Sequence, residues 1–492
     1  MEENKSHKQI LKSTGIVGGA QILSIVIGIL RTKVVALLLG PAGIGIMGIY
    51  QSTLDLVRNA TGFGINFSGV KDIAQADGSG DRERIAVTIT VLRRWALATG
   101  LLGMAVTATL CVPLSRYAFD SDGYAVGLAI LSVTLVVTSV SAGQLALLQG
   151  LRRLSQMARA TVLGAAVGTA ITLPLYWLFG LRGIVPGIIV VAFVSLFFSW
   201  RFARKVKIEK PKISLAETFR RGLGMARLGF FIVVISFMSL AAMYVVRALV
   251  AREMDLAAVG FFQAAWMISN TYIGIVLNAM LADFFPRLSA LGGDAAASNK
   301  LVNEQMEIAL LIGAPLLISL MAFGMLVVTV LYSSSFEMAV PVLRWQLLGS
   351  LVTLVAWPMG VMFLARGKGS YVMLTDGLWC AVYVAFVFLG WDSFGFNVLG
   401  IAYLAAGVVK TLLVWLLVRR LGRFRFGRTA ARYIWVLGAL GAAMAVNVLM
   451  LHGAVQYLTS GALTIVTLWF CYRKLRSTVD IAGMIRSKFP RR

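Results

Sequence analysis

The feature that most restricts the fold of this 492-residue chain is a succession of apolar runs broken by short polar connections. Crossing a hydrocarbon core of ~30 Å takes about 20 residues of helix. Runs of about that length fall at 14–39, 44–69, 86–112, 124–149, 160–179, 183–200, 223–250, 257–282, 306–331, 341–365, 371–391, 398–418, 433–451 and 457–472. With 59% hydrophobic and only 14% charged residues, and a mean hydropathy of +0.84, the chain is far too apolar for a water-soluble protein of this size. The pattern predicts an all-α polytopic membrane protein of about 14 transmembrane helices. No connection is long enough for a soluble domain, and Gly180-Leu181-Arg182 reads as a tight hairpin between spans five and six.

A formal net charge of +25 invites a nucleic-acid reading, so the placement of the basic residues has to decide. Segments 1–13, 70–85, 150–159, 201–222, 283–305, 366–370, 419–432 and 473–492 together hold 34 Lys and Arg, whereas the opposite loops hold only Arg116, Arg182 and Arg252. Under the positive-inside rule both termini are expected in the cytoplasm. Anionic inner-leaflet headgroups account for the basic excess, with no nucleic-acid partner. Lys5, Lys8 and Lys12 imitate the start of a signal peptide, but the apolar run continues to Leu39 without a cleavage signal and reads as span one. Cys111, Cys380 and Cys471 lack disulfide or metal-site spacing, and His7 and His452 are far apart, so no metal site is expected.

The basic stretch at 201–222 divides the first twelve spans into two sets of six. The expected organisation is an N-terminal six-helix lobe at 1–200, a basic cytoplasmic linker at 201–222, a second six-helix lobe at 223–418, and a basic loop, two further helices and a cytoplasmic tail at 419–492. Ile213 to Leu223 is compatible both with a short helix on the membrane surface and with an unstructured linker. Residues 40–51 align on 255–266, pairing Ala42 with Ala257 and Gly45 with Gly260, and bring Arg31 within one residue of Arg247. Such parallel repeats suggest two lobes around a central cavity. Gly15 with Gly19, and Gly164 with Gly168, have the spacing of close helix packing.

Among the basic residues inside these runs, six are singled out: Arg31, Lys33, Arg58, Arg247, Arg344 and Lys410. A charge at the centre of a membrane helix costs at least about 2.5–3.5 kcal/mol, so such residues face a cavity, a partner or a substrate. Cations that outnumber the carboxylates predict a transporter whose cargo carries phosphate or carboxylate. Arg58 lies roughly 21 Å into span two counted from Ile44, too deep for easy snorkelling. Asp55 lies three residues earlier on the same face, so an internal ion pair is the other reading of Arg58. Arg31 and Lys33 are about 200° apart around a helix and cannot share one direction. Lys410 either meets Asp376 or lines a cavity, while Arg247 and especially Arg344 lie close enough to span ends to snorkel.

Four segments carry a family resemblance: RTKVVALLLGPAGIGIMGIYQ at 31–51, DLAAVGFFQAAWMIS at 255–269, FFPRLSAL at 284–291 and FEMAVPVLRWQLLGS at 336–350. Together they resemble the O-antigen flippase family of the multidrug, oligosaccharidyl-lipid and polysaccharide exporter superfamily, over roughly residues 10–420. The resemblance implies a twelve-helix, two-lobed core and no enzymatic activity. It also implies movement of undecaprenyl-pyrophosphate-linked oligosaccharide, an O-antigen or exopolysaccharide unit, from the inner to the outer leaflet of the bacterial cytoplasmic membrane. Membrane lipids, and the polymerase and chain-length machinery of polysaccharide assembly, are the partners it implies. The two extra C-terminal helices, and basic residues on the first two helices, are also similar to the lipid II flippases, which stand as an alternative.

On that resemblance Arg31, Lys33, Arg58, Arg247 and Lys410 are the candidate pyrophosphate and headgroup ligands. Asp55 and Asp376 are the candidates for ion pairing or ion coupling. Asp55 either holds Arg58 oriented before cargo arrives or takes up a proton when the pair is broken, which makes a proton or sodium gradient a candidate for coupling; no cofactor is expected. Sugar recognition draws on Gln51, Asn59, Asn66, Gln144, Asn270, Tyr272 and Asn278, with Trp266, Trp345 and Trp357 for stacking. A drug or organic-cation antiporter of the same superfamily is the closest rival, and its cavity would be lined by carboxylates instead.

Overall fold

The computed structural model describes the backbone at residues 2–79, 81–206, 211, 213–291 and 294–478. Side chains are described from 19 to 476 within these ranges, apart from 66, 67, 82, 225–232, 272 and 282, so Asn66 and Tyr272 lie outside them. Every regular element among the described residues is helical. In chain order these are α1 (Glu2–Gly62), α2 (Ile65–Gly78), α3 (Arg82–Thr109), α4 (Cys111–Phe119), α5 (Ala125–Leu131), α6 (Val133–Gly150), α7 (Leu154–Phe179), α8 (Ile184–Ala203) and α9 (Leu215–Glu253). They continue with α10 (Leu256–Ala290), α11 (Ala295–Ala322), α12 (Gly324–Leu331), α13 (Ala339–Ala365), α14 (Gly369–Phe394), α15 (Val398–Gly422), α16 (Arg428–Met450) and α17 (Gly453–Thr478). Helix is the solution a chain in lipid must adopt, because each backbone group finds its partner within the segment.

Eleven helical segments among the described residues are long and apolar enough to cross a membrane. Three of them, Gly19–Gly62, Leu154–Ala203 and Gly369–Gly422, each hold two of the spans expected from the sequence. The break in each falls on a glycine at positive φ: Gly40 (63°), Gly180 (55°) and Gly395 (54°). Only glycine takes up that conformation without a Cβ penalty. The last two breaks repeat one another. Phe179-Gly180 and Phe394-Gly395 have nearly the same dihedrals, and each glycine N–H donates to the carbonyl four residues back, of Tyr176 and Trp391. A short 3-10 turn then leads into α8 and α15 respectively.

The chain forms two compact units, Met1–Gly260 with Leu331–Ser333, and Phe261–Val330 with Ser334–Arg492. The boundary therefore lies within α10, and α9 belongs with the helices that precede the basic linker. The contacts at its two ends are the reason. At the start of α9, Arg94 Nη1 on α3 donates to Thr218 Oγ1 (2.7 Å) and to the Ile213 carbonyl (3.1 Å). Trp95 Nε1 donates to the Thr218 carbonyl (2.9 Å), and its ring stacks on Phe219 at 5.4 Å. At the far end, the Arg252 guanidinium lies 4.7 Å over the Tyr117 ring, and Tyr117 stacks on Tyr244. The Leu215–Leu223 stretch is thus neither a separate surface helix nor unstructured, but the docked first turns of a 39-residue helix.

Within the first unit α1 packs on α7 and α9, α3 on α6, and α7 on α8, where Gly164 and Gly168 lie against Ser195 and Val191. A cluster of Ile65, Ile73, Ile89, Leu92, Ala146, Leu147 and Ala203 fixes α2, α3, α6 and the end of α8 together. Gly45 on α1 and Gly260 on α10, the pair matched by the internal repeat, lie directly against one another. A Cβ at Gly45 would run into the Leu256 carbonyl, and one at Gly260 into the Pro41 carbonyl.

In the second unit α13 packs on α11 and α15, α14 on α15, and the two C-terminal helices on α11. The loop before α16 is held by side chains one helical turn apart on α11. Asn299 Nδ2 donates to the Arg423 carbonyl (3.2 Å), while Asn303 donates to the Arg425 carbonyl (3.0 Å) and accepts from Gly427 N (2.8 Å). Arg366 Nη1 adds a bond to the Leu421 carbonyl (3.0 Å), and Phe424 is buried beneath. These contacts make α16 and α17 part of the unit's packing.

Two outcomes follow. Gly45→Ala and Gly260→Ala each force backbone apart and should cost at least about 1–3 kcal/mol. Gly438→Ala, where a Cβ meets nothing within 4 Å, should be neutral or stabilising, and thermal unfolding in detergent reads all three. At the start of α9 the Glu217 carboxyl is held below the usual glutamate range, first by the Arg221 hydrogen bond and then by the charges of Arg220 and Arg221. A depressed folded-state value means that the ion pairs stabilise this turn above the ordinary glutamate pKa of ~4.3. Their contribution falls away as pH drops through the lower folded value. Hydrogen-exchange protection at 214–222, corrected for intrinsic rates, should hold from pH 7 to about 5 and decline below the ordinary glutamate pKa of ~4.3.

Charged and aromatic groups within the spans

In the first unit the second leg of α1 carries Gln51, Asp55 and Arg58 on one helical face, because positions i, i+4 and i+7 align. Ile49, Thr53 and Val57, on the other side of the helix, are buried and orient that face outward from the packing. Arg58 Nη2 donates to Asp55 Oδ1 at 2.7 Å, and Gln51 Nε2 donates to the same oxygen at 3.2 Å. The Arg58 side chain is 47% exposed against 25% for Asp55. A half-exposed guanidinium in an apolar segment is tolerable only against water or a polar ligand, since hydrocarbon would not solvate it. One residue on, Asn59 Oδ1 is buried without a hydrogen-bond partner.

Arg31 and Lys33 are half-buried on the first leg of α1, on the other side of the Gly40 break from Arg58. Arg247 is buried on α9, with 8% of its surface exposed. The structure joins Arg58 with Asp55, and places Arg31 and Lys33 together on the first leg of α1 and Arg247 on α9.

In the second unit Lys410 Nζ on α15 donates to Asp376 Oδ1 on α14 at 2.5 Å, with the two side chains 32% and 25% exposed. Next to the pair along both helices lies a cluster of rings. Trp379 stacks on Tyr383 at 5.1 Å, and the Tyr403 ring meets Trp379 and Trp266 edge-on, at 5.7 Å each. Ser269 Oγ donates to Gln346 Oε1 (2.9 Å), and Asn270 Nδ2 donates to Ser269 Oγ (3.2 Å). Gln346 is wholly buried, yet its Nε2 has no partner.

Two of these side chains are taken up by structural partners. Arg344 Nη1 donates to the Val448 carbonyl in the last turn of α16 (3.0 Å). Gln456 on α17, with its amide turned so that both of its ends are satisfied, accepts from Nη2 at 2.9 Å. A helix C-terminus is a natural seat for a cation, because its free carbonyls carry partial negative charge. Gln144, taken as a sugar ligand, accepts from Ser199 Oγ (2.7 Å) and serves the packing of α6 on α8. Arg94 was passed over as part of an apolar run, although it anchors α9. Trp379, Tyr403 and Gln346 were not among the sugar-recognition candidates, since nothing in the sequence separates them from the many other rings and amides of the spans.

The model of a family described as polysaccharide biosynthesis protein matches residues 34–341. The lipid III flippase of Escherichia coli strain K12 is 24% identical over 356 residues, which cover 71% of this chain and 83% of that protein. Among solved structures, the lipid II flippase MurJ in an inward closed conformation aligns with a TM-score of 0.68 at 14% identity, over 94% of this chain and 99% of that one. An inward-facing multidrug resistance MATE family transporter of the MOP superfamily aligns with a TM-score of 0.64 at 18% identity, over 85% and 99%. At these identities the structural likeness establishes a shared fold.

The Lys410–Asp376 pair has a measurable consequence. Asp376→Asn strands the ammonium and Lys410→Met strands the carboxylate, so each should lower the thermal midpoint, and the double variant should recover much of the loss. For a pair this far from bulk water the coupling from the double-mutant cycle should be about 1–3 kcal/mol, between the values of exposed and buried pairs.

Proposed function

The chain belongs to the polysaccharide biosynthesis protein family, and from that membership we propose that it is a flippase of the MOP superfamily that moves a lipid-linked oligosaccharide across the bacterial cytoplasmic membrane. The cargo is an undecaprenyl-pyrophosphate-linked repeat unit of O-antigen or exopolysaccharide type, taken from the inner to the outer leaflet, and both termini face the cytoplasm. The observation that carries this reading is the half-exposed Arg58 on an apolar helix, in a chain with a flippase as a curated relative.

A pyrophosphate lipid presents about two negative charges that hydrocarbon will not solvate. Arg58 supplies a planar, permanently charged donor set that suits two phosphate oxygens at once. Asp55 holds the guanidinium in place beforehand through a contact of 2.7 Å. Incoming pyrophosphate replaces the carboxylate at Arg58 and frees Asp55, which stays within reach of Gln51. That exchange offers a route for coupling to a proton gradient, with sodium as the other candidate ion. Arg31 and Lys33, half-buried on the first leg of the same helix, extend the cationic character available to the headgroup, and polymerase and chain-length proteins are the expected functional partners. The organic-cation antiporter reading is disfavoured because Asp55 and Asp376 are each already neutralised by a cation of this chain.

The purified protein in liposomes, given a fluorescent undecaprenyl-pyrophosphate oligosaccharide, should move that lipid between leaflets, and an imposed proton or sodium gradient should change the rate or final distribution. Arg58→Ala should slow movement at least about tenfold at unchanged protein level, with Arg58→Lys intermediate because it keeps charge but loses the planar fork. Gradient-driven efflux of organic cations with no lipid movement would replace this reading by the antiporter.

A further inference from the structure

We infer that the second unit holds a subsite for a sugar ring, formed by Trp266, Trp379 and Asn270 beside the Asp376–Lys410 ion pair; the inference rests on the flippase reading above. The elements converge by helical register. Asp376 and Trp379 are one turn apart on α14, Tyr403 and Lys410 two turns apart on α15, and Trp266 and Asn270 one turn apart on α10. Tyr403 ties the three helices together. It is 6% exposed and meets both tryptophan rings edge-on.

The tryptophans are not interfacial anchors. Trp266 is ten residues into α10 and Trp379 ten into α14, which places each about 15 Å along its helix, near mid-span. Aromatic belts form at the two water interfaces instead. Both rings, Asn270, Asp376 and Lys410 keep part of their surface exposed. An ion pair and an amide exposed at that depth do not face hydrocarbon, because acyl chains satisfy neither. The indole N–H groups of Trp266 and Trp379 donate to nothing among the described residues, and the buried Gln346 Nε2 has no partner behind them.

The ligand that matches is a pyranose. Its C–H face packs on an indole, and its rim of hydroxyls both donates and accepts. Asp376 offers acceptor oxygens, Lys410 and the indoles offer donors, and Asn270 offers both. An acyl chain would use only the rings. An organic cation would need a free carboxylate, whereas Asp376 is held by Lys410 at 2.5 Å. The subsite therefore reads the glycan of the cargo.

The test measures binding of two probes to the full-length protein: a short polyprenyl pyrophosphate bearing a disaccharide, and the same lipid without sugar. Wild type should bind the glycosylated probe at least about tenfold more tightly. Trp266→Leu and Trp379→Leu, which keep apolar volume without a ring, should erase most of that preference and leave the bare lipid unaffected. Trp379→Phe should retain part of it, and Trp435→Leu, at a residue 79% exposed on α16, should change nothing. Equal wild-type affinity for both probes would overturn the sugar subsite and leave the flippase reading standing. Parallel loss of both probes in the leucine variants, or no loss of preference, would make the cluster a packing element and also overturn it. Failure of wild type to bind either lipid would remove the flippase reading, and the inference with it.

Discussion

Hydrocarbon solvates neither a charge nor a bare peptide group, and this constraint organises the whole molecule. It forces the backbone into helices, and it leaves each in-span charge a short choice of neighbours. Arg58 takes Asp55, Lys410 takes Asp376, and Arg344 takes the carbonyl end of α16 together with Gln456. The three solutions differ in what they leave available. Arg344 is committed to the packing of α16 and α17 against α13. The two ion pairs remain partly exposed, so each can exchange its partner for a ligand without emptying a packed core.

Close approach of backbones is the second constraint, and glycine meets it in two ways. At Gly40, Gly180 and Gly395 it supplies a positive φ that turns one apolar run into two spans. At Gly45 and Gly260 it supplies the absence of a side chain, so that the start of α10 can lie on α1. The matched hairpins at Gly180 and Gly395, one in each unit, give the internal repeat a structural form that the short alignment of 40–51 on 255–266 only suggested. A repeated turn of the same geometry is harder to produce by chance than a few shared small residues.

The functional groups follow the same division between local and distant contacts. Asp55 and Arg58 are three residues apart, so their pairing is visible in the helical period itself. Asp376 and Lys410 are 34 residues apart, and the sequence offered their contact only as one of two options. Ser269 and Gln346 are 77 apart, and Arg344 and Val448 are 104 apart, so no pattern in the chain announces either bond. Of the aromatic cluster around Tyr403 the sequence singled out only Trp266, for a further reason. Among uniformly apolar spans, a tryptophan in the right place looks like any other lipid-facing or packed ring.

Sequence alone determined the class of this protein, the approximate positions of its apolar segments, the uneven distribution of basic residues among the connections between them, and the family its segments resemble. These properties are local or additive: span length is a sum over twenty or so residues, and a pair at i, i+3 is set by the pitch of one helix. Tertiary structure alone decided that α9 packs with the helices before the linker, that Arg344 is spent on the C-terminal pair, and that α10, α14 and α15 bring rings, amide and ion pair together. Those outcomes depend on the rotation of each helix about its own axis and on which faces meet, and a uniformly apolar helix carries almost no amphipathic stripe to reveal its rotation before its neighbours are in place.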